Sequence, residues 1–248
     1  MDRVELHFHL LPGVDDGPRD LQVALALARE AVRDGTRLVT CTPHAAYVDL
    51  AAVPKRVREL QGALLQAGID LEVRPGAELA WHDVPTLSGA ELETVAQGPP
   101  GHRWLLLEAP LPGTGTPEGL ASSAEALRER GFGVLIGHPE RSPGLARDPG
   151  AVEALLAAGD RLQVNASSLT GYHGAGARAA ALDLESAGRA QVIASDAHHP
   201  RARAPRLSDA VEVLRREGMP VAEAEALVGA APRALLEDGF APRERLAA

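Results

Sequence analysis

The sequence predicts an α/β fold, a parallel β-sheet wrapped by helices and closed, or nearly closed, into a barrel. Three observations carry that expectation. Seven short apolar runs, VELHF (4–8), LVTCT (38–42), LEVRP (71–75), WLLLE (104–108), GVLIG (133–137), LQVNA (162–166) and QVIAS (191–195), have the length and composition of buried strands. Longer amphipathic stretches separate them at 20–35, 52–67, 84–96, 117–130, 148–158 and 174–187. The alternation runs on without a repeat or a linker, so one series of strand–helix units, a single domain over residues 1–248, is expected.

Taken in order, the chain opens MDRVELHFHLLPGVDDG, where the first strand carries His7 and His9 and runs on to Asp15 and Asp16. The helix that follows has Asp20 as its N-cap and Gly35 at its close. APLPGTGTPE (109–118) and RSPGLARDPG (141–150) read as loops. From about residue 206 the pattern is helical only, with Pro220 and Pro232 near the starts of the last two helices.

Composition bounds the function. Hydrophobic residues make up 45% of 248, enough for a large core. A formal charge of −9 argues against a general nucleic-acid surface. The one cysteine allows no internal disulfide, and no apolar run reaches membrane-spanning length. The N-terminus lacks an apolar signal segment, so a cytoplasmic location without membrane insertion is expected. Nothing in the sequence reports the oligomeric state.

The polar residues fall at the C-terminal ends of the strands. The first gives His7 and His9, the second His44, the third Glu78 and the fourth Glu108. The fifth gives His138, Glu140 and Arg141, the sixth Asn165, and the seventh Asp196 and His198. In parallel barrels that end holds the active site, because the βα-loops converge there. His7/His9, His138/Glu140 and Asp196/His198 are i, i+2 pairs, whose members share one side of an extended chain. Imidazole and carboxylate without thiolate suit Mn, Fe, Zn or a related divalent ion. Eight or nine such donors exceed the four or so of one zinc site, which favours two or three ions. Clustered ions bind phosphate oxygens, acidify water and stabilise a leaving oxygen. Arg141, Arg201 and Arg203 lie just beyond these motifs, and a guanidinium fork suits phosphate.

These motifs closely resemble the PHP (polymerase and histidinol phosphatase) family, and in detail its bacterial tyrosine-phosphatase branch, which regulates capsule and exopolysaccharide synthesis. They are Glu5-Leu6-His7-Phe8-His9, Asp15-Asp16-Gly17, Thr42-Pro43-His44, Gly76-Ala77-Glu78, Glu108, His138-Pro139-Glu140-Arg141, Gln163 to Ser167 and Ile193 to His198, in order over residues 4–205. The resemblance implies a distorted seven-stranded (β/α) barrel, similar to a TIM barrel, with a trinuclear metal site. By position it implies that His7, His9, Glu78 and Asp196 hold one ion. Glu78 then bridges to a second with Glu108 and His138, and Asp16, His44 and His198 hold a third. Arg141 and Arg203 match the phosphate-binding positions, with Arg201 two residues from the second. The implied reaction is hydrolysis of phosphotyrosine, with manganese the usual metal (Fe, Zn, Co and Mg the alternatives) and the tail of a bacterial tyrosine kinase as substrate. The chain departs from the pattern at Glu5, where Asp is usual, at Phe8, which could reshape the pocket wall, and in the Pro/Gly-rich stretch 110–117.

Other residues take plainer readings. Asp15 reads as an Asp-Gly turn residue. Glu140 reads equally as a group orienting the site or as a salt bridge, and Asn165 as one that orders it. His82, His102, His173 and His199 read as surface or rim. Cys41 lies in an apolar strand and is followed six positions later by Tyr47, so the C-x5-R loop of cysteine phosphatases is absent. Three other functions compete: a small-molecule phosphatase such as histidinol-phosphatase, a nuclease or nucleotide phosphoesterase, and a non-catalytic metal scaffold.

Overall fold

All seven apolar runs form strands, and every ladder between strands is parallel. The computed structural model describes residues 2–240. Its elements are β1 (Arg3–Phe8), α1 (Leu21–Arg33), β2 (Thr36–Cys41), α2 (Val53–Gln66), β3 (Glu72–Pro75), β4 (Glu78–Leu79), α3 (Gly89–Val95), β5 (Trp104–Glu108), α4 (Pro117–Glu129) and β6 (Gly133–Gly137). They continue with α5 (Pro143–Arg147), α6 (Pro149–Ala157), β7 (Arg161–Asn165), α7 (Ala166–Leu169), α8 (Ala175–Ser186), β8 (Ala190–Ala194), α9 (Leu207–Arg216), α10 (Val221–Val228) and α11 (Ala230–Glu237).

The seven-stranded barrel expectation needs correction. The described residues form eight strands in two parallel sheets, β1-β2-β3 and β4-β5-β6-β7-β8, with no continuous closed ladder. The extra strand arises because the third run breaks at Gly76-Ala77. Pro75 ends the pairing with β2, and proline has no N–H to extend a ladder. Gly76 then passes so close to β2 that a Cβ there would sit 2.5 Å from Thr40 Cγ2. Past this point the chain changes neighbour, and Glu78 pairs with Leu106 of β5. Single bridges, His44 with Glu78 and Phe8 with Ala197, connect the sheets. The Glu78 N–H donates to Pro43 O at 3.0 Å, and the Asp196 N–H to His7 O at 3.0 Å.

Local chemistry sets the helix ends. Asp20 Oδ1 accepts from the Val23 N–H at 2.9 Å, and Gly35 follows α1 at φ +97°, a conformation glycine adopts without strain. The expected helix 84–96 starts only at Gly89, where Ser88 and Glu91 form a reciprocal capping box. The stretch 141–150, expected as loop, instead contains α5 and the start of α6, each with proline in its first turn, where the missing N–H costs nothing.

Two apolar layers hold the strands. The larger lies between strands and helices and includes Phe8, Cys41, Leu105, Leu107, Val164 and Ile193. A smaller one gathers Val4, Leu6, Leu38, Trp104, Leu106, Leu135 and Val192 with Leu235 and Leu236 of α11 and Phe240. Alternation along β5 sends Leu105 and Leu107 into the first and Trp104 and Leu106 into the second. Glu108 continues the Trp104–Leu106 face. One face thus runs from an apolar plug, closed by α11, to polar groups at the strand ends.

Candidate metal centre

The strand ends bring together all nine residues singled out as metal donors. His7 Nε2 lies 3.2 Å from Glu78 Oε1 and 3.4 Å from Asp196 Oδ1. His9 Nε2 is 3.3 Å from Glu78 Oε2 and 3.6 Å from Asp196 Oδ1. His138 Nε2 is 3.1 Å from Glu78 Oε1 and 3.6 Å from Glu108 Oε1. On the open side, Asp16 Oδ1 lies 3.4 Å from His44 Nε2 and 3.1 Å from His198 Nε2. His44 Nδ1 reaches Glu78 Oε2 at 3.0 Å. Glu78 therefore touches four imidazoles at the centre. The Asp16 side chain is 60% exposed and marks the mouth.

Three of the histidines are aimed by a hydrogen bond from Nδ1. His7 Nδ1 donates to Gln163 Oε1 at 2.9 Å, His9 Nδ1 to Asp15 Oδ2 at 2.8 Å, and His198 Nδ1 to the Asp196 carbonyl at 2.9 Å. Each bond fixes a tautomer that leaves the Nε2 lone pair facing inward. Gln163 is held in turn, donating to Asn165 Oδ1 at 2.8 Å, and Asn165 Nδ2 donates to Asp196 Oδ2 at 2.8 Å. Sequence reasoning gave Asp15 only its turn role. The structure gives it both, since Asp15 Oδ1 accepts from the Gly17 N–H and Oδ2 from the His44 N–H. Gln163 was also missed as a partner of His7. Its one signal was its i, i+2 spacing to Asn165 on β7.

The candidate arginines differ in position. Arg141 Nη1 donates to Asp196 Oδ2 at 3.0 Å, and Arg203 Nη2 to the same oxygen at 2.6 Å. Arg201 instead lines a separate cavity with Arg29, Glu30 and Arg33. Glu140 makes no ion pair among the described residues. Its Oε1 accepts from the Asn165 N–H at 3.1 Å and the Ser168 hydroxyl at 2.6 Å, tying the turn after β6 to β7 and α7. Glu5 sits one layer below, accepting from the Ser195 N–H at 2.8 Å, and burial pushes its carboxyl up to about 8. Phe8 is fully buried in the larger apolar layer and does not shape the pocket wall. His82 lies beside Asp83, His102 donates to Asp238 O, and His199 Nδ1 accepts from the Arg201 and Ala202 N–H groups. His173 lies at the rim, paired with Ser167 Oγ at 3.0 Å.

The electrostatics are those of a site built for cations. Burial alone would pull His7 and His44 down, yet the neighbouring carboxylates push them up, to about 9 and about 11. Burial and the Glu78 charge push Glu108 up to about 7. Asp16, held by His198 and His44, stays far below the usual carboxylate range. Crowded carboxylates thus hold protons on imidazoles that divalent ions would displace. His198 Nε2 has only Asp16 Oδ1 beside it, at 3.1 Å, and His138 turns Nε2 toward Glu78 while its buried Nδ1 has no hydrogen-bond partner among the described residues. Four subsets, His9/Asp16/His44/His198, His7/Glu78/His138, His7/His9/Asp196 and His44/Glu78/Glu108, each place their donor atoms within 4.8 Å of one another. The donor set fits hard or borderline divalent ions. His138 and Asp196 also have left-handed backbones, at φ 37° and 51°, among the described non-glycine residues. Strain of that kind concentrates at functional sites.

Comparison with known proteins gives the same picture. Tyrosine-protein phosphatase YwqE of Bacillus subtilis (strain 168) is 29% identical over 218 residues, covering 86% of this chain and 84% of its own. A solved structure from work on YwqE of Bacillus subtilis and CpsB of Streptococcus pneumoniae, described as unique metal-dependent tyrosine phosphatases, superposes with a TM-score of 0.78 at 28% identity, covering 91% of this chain and 94% of that one. The phosphotriesterase homology protein of Escherichia coli, at 14% identity and a TM-score of 0.61 over 97% of this chain and 99% of that one, shares the fold. The profile described as capsular polysaccharide synthesis, CpsB/CapC, matches residues 3–237, so the chain belongs to the CpsB/CapC family.

Proposed function

We propose that this protein is a metal-dependent protein-tyrosine phosphatase, a phosphoric monoester hydrolase that releases phosphate from phosphotyrosine in a protein substrate. The observation that carries the reading is the cluster of five histidines and four carboxylates, buried at Glu78 and open at Asp16, with two guanidiniums turned onto one carboxylate oxygen. Similarity to YwqE and CpsB, tyrosine phosphatases by name, supports the substrate class. Its protein substrate is a bacterial tyrosine kinase that controls capsule or exopolysaccharide synthesis, met in the cytoplasm.

His7, His9, Glu78 and Asp196 would hold one ion, Glu78, Glu108 and His138 a second, and Asp16, His44 and His198 a third, with manganese the working metal. When bound, such ions activate phosphate oxygens and water and stabilise the leaving oxygen. The chain's own groups do the rest. Gln163, Asp15 and the Asp196 carbonyl keep three imidazoles on the tautomer that presents Nε2. In the metal-free cluster the carboxylates are balanced by protonated His7 and His44 and by the two guanidiniums, and bound cations would take the place of those protons. Once Asp196 is neutralised, Arg141 and Arg203 have donors to spare for two phosphate oxygens at once. No side-chain nucleophile is needed. The Cys41 thiol is fully buried, and burial pushes its pKa far up, so it is not a thiolate.

The test is turnover by metal-stripped protein resupplied with Mn²⁺ on a phosphotyrosine peptide, a phosphoserine peptide and histidinol phosphate, with His7→Ala and Arg141→Ala as controls. Selective, metal-restored release from phosphotyrosine is expected. Preference for histidinol phosphate would overturn the substrate and keep the site.

A further inference from the structure

A second cavity opens beside the metal centre. Its volume is about 440 Å³, and its lining includes Leu111, Pro112, Pro143, Arg147 and His173 together with Glu140 and Arg141. Arg141 links the two spaces, since its guanidinium reaches Asp196.

Both walls are fixed. The loop carrying Leu111 and Pro112 is pinned by Trp81, whose Nε1 donates to Thr114 O at 3.0 Å. Gly115 lies so close to the indole that a Cβ would come within 2.3 Å of Nε1. The opposite wall rests on Pro117, where a Cβ on Gly144 would meet the ring at 2.9 Å. The Pro/Gly-rich stretch 110–117 thus forms a preformed wall.

The charge of the groove is unlike that of the whole chain. The one carboxylate among its lining residues, Glu140, is buried and bonded to Ser168 and the Asn165 N–H. Arg147 ends α5, is exposed, and has no hydrogen-bond or ion-pair partner among the described residues. A chain of net charge −9 therefore presents, beside its active site, an apolar trough with an unpaired cation at its rim.

We infer that this groove binds the peptide flanking the phosphotyrosine, taking an apolar side chain against Leu111, Pro112 and Pro143 and an acidic side chain at Arg147. The inference rests on the phosphatase reading and adds sequence selectivity to it. An extended segment advances about 3.3–3.6 Å per residue, so a position two or three residues from the phosphotyrosine lies roughly 7–10 Å along the groove. Specificity here is a difference in affinity between partners, with Arg147 attracting acidic and repelling basic segments.

The test compares Mn²⁺-loaded wild type and Arg147→Glu on three substrates: p-nitrophenyl phosphate, a phosphotyrosine peptide flanked by Glu and Leu, and the same peptide with Lys in place of Glu. The readout is kcat/KM for each peptide divided by that for p-nitrophenyl phosphate. Wild type should favour the acidic peptide roughly three- to tenfold, mainly through KM, with the preference shrinking at high salt. Arg147→Glu should reverse the order, and Arg147→Lys should restore it. An unchanged peptide ratio in Arg147→Glu overturns the inference and leaves the phosphatase reading standing. Cleavage of p-nitrophenyl phosphate with no turnover of either peptide overturns both.

Discussion

Asp15→Asn is the sharpest probe of how the centre is assembled. The change keeps size and shape and alters one atom. Asp15 Oδ2 lies 2.8 Å from His9 Nδ1 and 3.1 Å from the His44 N–H, and its side chain is only 1% exposed. Burial opposes its charge, yet donors from His9, Gly17 and His44 hold its pKa below the usual range. An amide offers one acceptor oxygen. If that oxygen serves Gly17, the –NH₂ faces His9 Nδ1 and the His44 N–H, so donors meet donors. His9 then takes the other tautomer and turns an N–H, not a lone pair, toward Glu78 and Asp196. Losing a charge-assisted hydrogen bond costs about 1.5–3 kcal/mol. Removing the partner of a metal-binding histidine typically costs 10–100-fold in metal affinity, about 1.4–2.7 kcal/mol. The ranges overlap, so Mn²⁺ binding measured by calorimetry should weaken by about 10–100-fold while the circular dichroism spectrum stays unchanged. In a double-mutant cycle, Asp15→Asn should add little to His9→Ala, because both act on one imidazole. Wild-type affinity in Asp15→Asn, or full additivity with His9→Ala, would refute the argument.

Three further outcomes follow from the same geometry. Arg203→Ala should lower kcat/KM on a phosphotyrosine peptide by roughly 10–100-fold at saturating Mn²⁺, the worth of a charge-assisted bond to phosphate, whereas Arg201→Ala should change it less than about twofold. Cys41→Ser should keep most activity and lose about 1–3 kcal/mol of stability in denaturant titration, since it buries a hydroxyl in an apolar layer; abolished turnover in a folded variant would contradict this. The Glu185 pKa is raised to about 8 by burial and then by the charge of Glu140, and its Oε1 has no hydrogen-bond partner. A raised carboxyl favours the fold while protonated, so stability falls as pH climbs from about 4.5 toward about 8. Glu185→Gln should therefore raise Tm at pH 8 by several degrees, on the order of 1–3 kcal/mol, and much less at pH 5; an equal effect at both would count against it.

What the sequence made legible followed from period and position. The i, i+2 pair His7/His9 could be read because extended chain repeats every two residues, and the gathering of the strand-end residues followed from parallel strands that share one C-terminal end; Asp196/His198 has the same spacing but lies past β8, with Asp196 left-handed. The break at Gly76-Ala77 could not, because its cause is the approach to Thr40 on another strand. Nor could the different placement of Arg201 and Arg203, which follows a turn: the His198 N–H bonds to Arg203 O, and Arg203 reaches Asp196. The turn role of Asp15 was local and visible. Its grip on His9, six residues away, exists only once the chain folds back.

The two left-handed residues tie these observations together. His138 follows β6 and Asp196 follows β8, and both lie at positive φ, where a side chain other than glycine is strained. In each case the strained residue sits just past the end of a strand, and its own N–H still pairs with a strand. The His138 N–H donates to Gln163 O at 2.8 Å, and the Asp196 N–H to His7 O at 3.0 Å. Those bonds join β6 to β7 and the end of β8 to β1, the second across the gap between the sheets. The strain is thus offset by backbone pairing that also sets the spacing between His7, His138 and Asp196. At Asp196 a candidate metal donor and the junction between the sheets coincide, so relaxing the backbone there would change the geometry of the donors and the join between the sheets together.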